Sequence, residues 1–87
     1  MEFHAVVTDI REERRVGGRT RWQMQFDRTE FRAGDAGSLE AVARSGTLLT
    51  VAVLSVVVDG AGDLWHVVEK PLAAGTEVTG KVERGAI

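Results

Sequence analysis

From residue 21 to residue 27 the chain reads Arg-Trp-Gln-Met-Gln-Phe-Asp, a strict alternation of polar and apolar side chains. A period of two marks a half-buried strand, because successive side chains of extended backbone point to opposite faces. No other feature constrains the fold as much: Trp22, Met24 and Phe26 must share a face, and that face must find a core. The preceding stretch, Phe3 to Arg14, is rich in β-branched residues, and Gly17-Gly18 supplies the positive φ angles that a tight reversal needs. The two segments are expected to form a hairpin.

The register of that hairpin follows from its faces. A two-residue Gly17-Gly18 turn pairs Val16 with Arg19. Carried down a regular ladder, it sets Arg11 opposite Met24 and Asp9 opposite Phe26, which mixes charge into the apolar face. A three-residue Val16-Gly17-Gly18 loop, with Gly18 in the left-handed position of a bulge, pairs Arg15 with Arg19, Ile10 with Met24 and Thr8 with Phe26. The bulged loop is the expectation. On the outer face it places Glu13 opposite Arg21 and Arg11 opposite Gln23, and leaves Arg15 and Arg19 as like charges facing each other.

After Phe31 the pattern changes. Asp35 or Ser38 is placed to cap a short helix with Leu39, Val42 and Ala43 on one face, and Gly46 is placed to end it. A helix of about ten residues does not persist without tertiary packing. Thr47 to Val58 is apolar on both faces and β-branched, which predicts a single buried central strand, with a helix as the alternative. Asp59-Gly60-Ala61-Gly62-Asp63 reads as a turn, Leu64 to Lys70 as a strand stopped by Pro71, and Glu77 to Glu83 as a last strand with Val78 and Val82 inward.

The predicted order is therefore β-β-α-β-β-β, an α+β fold that is mostly β with one short helix. Strands of about twelve residues run about 40 Å when straight, against a compact diameter near 30 Å for a chain of this length. The sheet is expected to bend strongly, as an antiparallel sheet or a small partly open barrel with OB-like ingredients, to project its hairpin as an arm, or to do both.

Nothing divides the 87 residues, so residues 1–87 form one domain, which buries only about 60% of its unfolded surface on folding. With no cysteine, neither a disulfide framework nor a thiolate metal site can reinforce so thin a core, whereas oligomerisation can. The N-terminus lacks a basic region followed by an apolar stretch. The longest charge-free run, Ser45 to Val58, falls short of the roughly 18 to 20 residues that span a bilayer. A cytoplasmic protein that does not enter membranes is the expectation.

Catalytic chemistry finds little support. His4 and His66 lie on alternating strands, where a satisfied, half-buried imidazole is the ordinary case, and no carboxylate spacing completes a metal site around them. Asp59 and Asp63 bracket Gly-Ala-Gly without the later glutamate of a calcium loop. None of Ser38, Ser45 and Ser55 sits on a strand-to-helix elbow, and Val-Gly-Gly-Arg-Thr-Arg is not a phosphate-binding loop. The chain reads as a non-enzyme with no cofactor and no metal.

Charge distribution points to binding. Between Arg11 and Arg32 there are seven arginines against Glu12, Glu13, Asp27 and Glu30, while the whole chain carries a formal charge of -2. The excess of arginine over lysine fits both a GC-rich genome and a need for bidentate contacts to phosphate or carboxylate. Arg14, Arg15, Arg19 and Arg21 surround the turn, Arg28 and Arg32 flank it in sequence, and Trp65, on the face opposite Leu64 and His66, is a candidate stacking platform. The partners this set fits are a nucleic acid or an acidic protein surface. The last strand offers an edge for self-association or for a partner strand.

The segment HAVVTDIREERRVGGRTRWQMQFD, followed by the expected short helix and apolar strand, resembles in style the small β-rich accessory proteins of bacteriophages with GC-rich hosts. That resemblance covers about the first sixty residues. It implies an accessory protein acting on nucleic-acid metabolism or on a host defence complex, and it transfers no catalytic residue. The functional expectation is weak nucleic-acid binding through the basic hairpin, with a protein-interaction, self-assembling or inhibitory module as the alternative.

Overall fold

The computed structural model describes residues 2–43 and 45–83, with the side chains of residues 14 and 16 left out of the description. Among these residues seven strands form one sheet: β1 (Glu2–Val16), β2 (Arg19–Phe26), β3 (Ala36–Val42), β4 (Leu48–Val53), β5 (Ser55–Val58), β6 (Leu64–Val68) and β7 (Glu77–Glu83). Their spatial order is β4-β3-β7-β1-β2-β6-β5, and every neighbouring pair is antiparallel.

The first strand organises the rest. Straight, its 15 residues would run about 50 Å, yet the molecule's longest extent is 36 Å. β1 therefore coils, with register shifts between Val7 and Asp9 and between Glu12 and Arg14. Its first half pairs with β7, from Glu2↔Lys81 to Val6↔Glu77, and its second half pairs with β2.

The two outermost strands, β4 and β5, are consecutive in the chain and separated by Leu54 alone. A sheet whose edges are joined by one residue has to roll. Two hydrogen bonds secure the meeting: Leu54 N–H donates to Val67 O at 2.8 Å, and Gly34 N–H donates to Val56 O at 2.9 Å. The roll encloses Phe3, Ala5 and Val7 of β1, Met24 of β2, Leu39 and Ala41 of β3, Val51 and Val53 of β4, Val56 and Val68, and Val78 and Val82 of β7, with Phe31 from the connecting loop. Every second residue points inward along these strands, as the pleat requires.

Among the described residues there is no helix, so the fold is all-β and the α+β expectation is corrected. The segment expected to be helical is β3 and the turn after it. Leu39, Val42 and Ala43 fit a helical spacing while Leu39 and Ala41 fit an alternating one, and tertiary pairing decides: β3 hydrogen-bonds with β4 on one side and β7 on the other, where a short helix would have packing on one face only. Leu39 and Ala41 are buried, while Val42, expected on the inner face, is 68% exposed. Asp35 accepts the Arg32 N–H in a turn instead of capping a helix, and Gly46, at φ 87°, belongs to the β3–β4 reversal.

The expected central strand is corrected too. Thr47 to Val58 breaks at Leu54 and supplies both edges of the sheet, so its apolar residues are shared between the core and the surface. The last strand, expected at an edge, lies between β3 and β1.

Candidate binding surface at the arginine turn

The β1–β2 reversal is tighter than expected. Val16 pairs with Arg19, so Gly17 and Gly18 form a two-residue turn, with φ of 58° and 80°. Positive φ at both central residues is the type I′ geometry that matches strand twist, and glycine adopts it without steric cost. The conflict that argued against this turn is resolved below it. An extra residue at Glu13 shifts the ladder between Glu12 and Arg14, so that Ile10 pairs with Met24 and Arg11 with Gln23, as the faces demand. A second shift at Thr8 pairs Val7, rather than Thr8, with Phe26.

This register redistributes the arginines. Arg15 lies opposite Thr20, not Arg19, and its Nε donates to the threonine Oγ1 at 3.4 Å. Arg19 approaches Glu69 at 3.7 Å, both side chains being well exposed, a pairing that holds little energy in water. The like-charge pair is Arg14 opposite Arg21, where Glu13 had been expected to face Arg21. Arg14's side chain lies outside the described residues. Arg21 is exposed and has no hydrogen-bond or ion-pair partner among the described residues.

Arg28 and Arg32 do not join this group. They follow the far end of β2, seven residues beyond Arg19, a distance of about 23 Å along the strand. Arg28 pairs with Glu30 at 3.0 Å and lies 6.0 Å from the Phe3 ring centroid, and both arginines are exposed. The structure brings together the turn's arginines and separates them from the flanking two.

Trp65 is not a platform. Although it lies outside the core cluster, on the outer face of β6, it is only 5% exposed. Arg11 covers it, with the guanidinium carbon 3.8 Å from the ring centroid, and its indole N–H donates to Asp59 Oδ2 at 2.9 Å. Arg11 Nε in turn donates to Gln23 Oε1 at 2.7 Å, and Gln23 Nε2 donates to Glu13 Oε2 at 2.6 Å. One polar chain thus runs from Glu13 to Asp59 across β1, β2 and β6. The Arg11–Gln23 step was legible from the register; Trp65 and Asp59 were not, since they reach Arg11 only through β6. The indole hydrogen bond, followed by the Asp63 and Ala61 backbone N–H groups, holds the Asp59 carboxyl below its ordinary range.

His66 is fully buried among aromatic rings. It stacks on Phe26 at 4.1 Å between centroids and meets Phe31 edge-on at 5.2 Å. Its contacts with Met24 O at 2.8 Å and Thr29 Oγ1 at 2.9 Å assign the tautomer: a carbonyl only accepts, so Nδ1 carries the proton, and Thr29 donates to Nε2 while accepting the Phe31 N–H. Burial pushes its pKa down, with the Met24 bond acting in the other direction. Both ring nitrogens are engaged, Nδ1 with β2 at Met24 and Nε2 with Thr29 of the loop that follows it. Among the described residues no group of three or more histidine, aspartate or glutamate side chains is placed to hold a metal ion. No helix there is long and apolar enough to cross a membrane. Compared with protein-family models, with curated proteins and with solved structures, the chain matches none.

Proposed function

We propose that the protein is a non-enzymatic binding module whose β1–β2 turn meets the phosphates of a nucleic acid. The observation that carries this reading is the exposed turn itself. Arg15, Arg19 and Arg21 stand at the end of a two-stranded ribbon, Arg21 without a partner among the described residues and Arg19 held only by a distant surface carboxylate. Phe3, Phe31 and Trp65 are buried, and Trp22 and Phe26 pack against the core, so base stacking contributes nothing to this mode. Binding would rest on phosphate contacts, independent of sequence, with a ribbon of a width that a major groove admits.

Such binding is steeply salt-dependent. Three neutralised phosphates give a slope of about -2.7 in log K against log salt on a duplex. Fluorescence anisotropy with labelled single- and double-stranded oligonucleotides tests this, and absence of binding at about 50 mM salt ends the reading. Arg15→Ala with Arg19→Ala should flatten the slope by about two.

A second reading, a protein-interaction module, is favoured by a different observation. Among the described residues the six exposed large hydrophobics, Val42, Leu48, Leu49, Leu54, Val57 and Val58, fall in one stretch of the chain. Edge strands are commonly protected by charge, yet β4 and β5 contain no charged residue.

A further inference from the structure

A groove of about 890 Å³ is lined by the first half of β1, β7, β3 and the start of β4. Its volume falls within the roughly 300 to 1,000 Å³ typical of ligand seats. Three carboxylates line it, Asp27, Glu40 and Glu77, and among the described residues no arginine or lysine does. Lys81 holds Glu40 from the side at 2.8 Å, Asp27 Oδ1 accepts the Val6 N–H at 2.8 Å, and Glu77 is exposed with no partner among the described residues. The lip is apolar. It is made by Val42 and Leu48, cross-strand partners that are 68% and 58% exposed, the two most exposed large hydrophobics among the described residues.

A complement to this groove needs cations for the carboxylates and aliphatic stems for the lip. The chain contains such a segment. Residues 14 to 21 hold four arginines and no acid, and arginine lays its methylenes on apolar surface while its guanidinium forms forked hydrogen bonds with a carboxylate. The turn and the groove lie toward opposite ends of β1, ten residues apart between Val6 and Val16, a path of about 33 Å along the strand. A turn of only two residues leaves no slack for one copy to fill its own groove.

We propose that the groove seats the arginine turn of a second copy of this chain, so that copies join head to tail. Each contact pairs two different surfaces and leaves a free turn at one end and a free groove at the other, so assembly continues into a ring or an open chain. The same turn serves the nucleic-acid reading, but this inference does not rest on it: if both hold, nucleic acid and the second copy compete for one set of arginines.

Sedimentation velocity over a concentration series tests the proposal with three proteins. The wild-type chain should associate beyond a dimer at about 50 mM salt and about tenfold more weakly at about 500 mM. Arg15→Ala with Arg19→Ala, which keeps the groove, should be monomeric, and so should Glu77→Lys, which keeps the turn. Mixed, the two variants should form a complex that stops at two chains, because only one compatible turn and groove remain. A monomeric wild type overturns the proposal. So does a mixture that stays monomeric, or variants that associate as the wild type does, the outcome expected if β4 edges pair instead. Oligonucleotide anisotropy on Glu77→Lys separates the two readings, since that change leaves the turn intact.

Discussion

The guanidinium of Arg11 lies over the ring of Trp65, its central carbon 3.8 Å from the ring centroid. Two strand pairings bring them together: Arg11 faces Gln23, Gln23 faces Val67, and Trp65 is two residues from Val67 on the same face of β6. A tryptophan on an outer face is ordinarily half wet; here the arginine stem covers it. Arg11→Ala should therefore cost about 1 to 2 kcal/mol, from the cation–π contact and the indole area returned to water. In a Trp22→Phe background, the emission of Trp65 should move to longer wavelength. Arg11→Lys should recover less than half the loss, because an ammonium cannot stack and reach Gln23 together. Unchanged emission in Arg11→Ala would show that something else shelters the indole.

Stability should fall as acid reaches His66. Its folded pKa lies below the unfolded value of 6.5, so the unfolded chain takes up a proton first. The sign is then fixed: stability holds above 6.5 and declines as pH drops toward the folded pKa, by up to about 1.4 kcal/mol per pH unit. Urea unfolding at a series of pH values measures the slope, and long-range ¹H–¹⁵N correlation reads the tautomer. A neutral imidazole protonated on Nε2 would contradict the hydrogen bonds to Met24 and Thr29, and one titrating above 6.5 would contradict the burial that holds its pKa down.

Gly37 should tolerate no β carbon. One built there would run into the backbone carbonyl oxygen of Lys81 on β7 and lie 3.0 Å from the Phe31 ring. Backbone cannot step aside as a flexible side chain can, so Gly37→Ala should cost about 3 kcal/mol. Gly60→Ala is the control: its β carbon meets nothing within 4 Å and its φ is not positive, so the change should stay within about 0.5 kcal/mol. Comparable thermal shifts for the two variants would mean that β3 and β7 are not in close contact.

Gly37 also shows where the sequence stops being legible. The β1–β2 hairpin could be read locally, since Trp22, Met24 and Phe26 alternate without exception and two glycines mark the reversal. What decides β3 lies at the other end of the chain: Leu39 pairs with Gly80 and Ser38 with Lys81, and no nearby residue announces it. The apolar run from Thr47 to Val58 misled for a related reason. Hydrophobicity on both faces ordinarily means burial between neighbours, but here a roll at Leu54 turns one run into two edges. Of the candidate site, the accessible turn was legible and its charge partners were not, because a one-residue bulge at Glu13 changes every pair above it.

Arg21 should be a residue that the fold would do better without. It faces Arg14 across the ladder, and like charges directly opposite destabilise an antiparallel pair. Arg21→Thr should raise stability by about 0.2 to 1 kcal/mol, since it removes that repulsion and places a β-branched side chain in a strand. The same change should weaken oligonucleotide binding uniformly across sequences and flatten the salt slope by about one. Thermal melts and anisotropy on a single preparation give both numbers. Opposite signs would mean that the arginine is kept for what it contacts outside its own chain. A loss of stability would instead place Arg21 among the groups that hold the ribbon together, and the turn's charge would need no external partner to account for it.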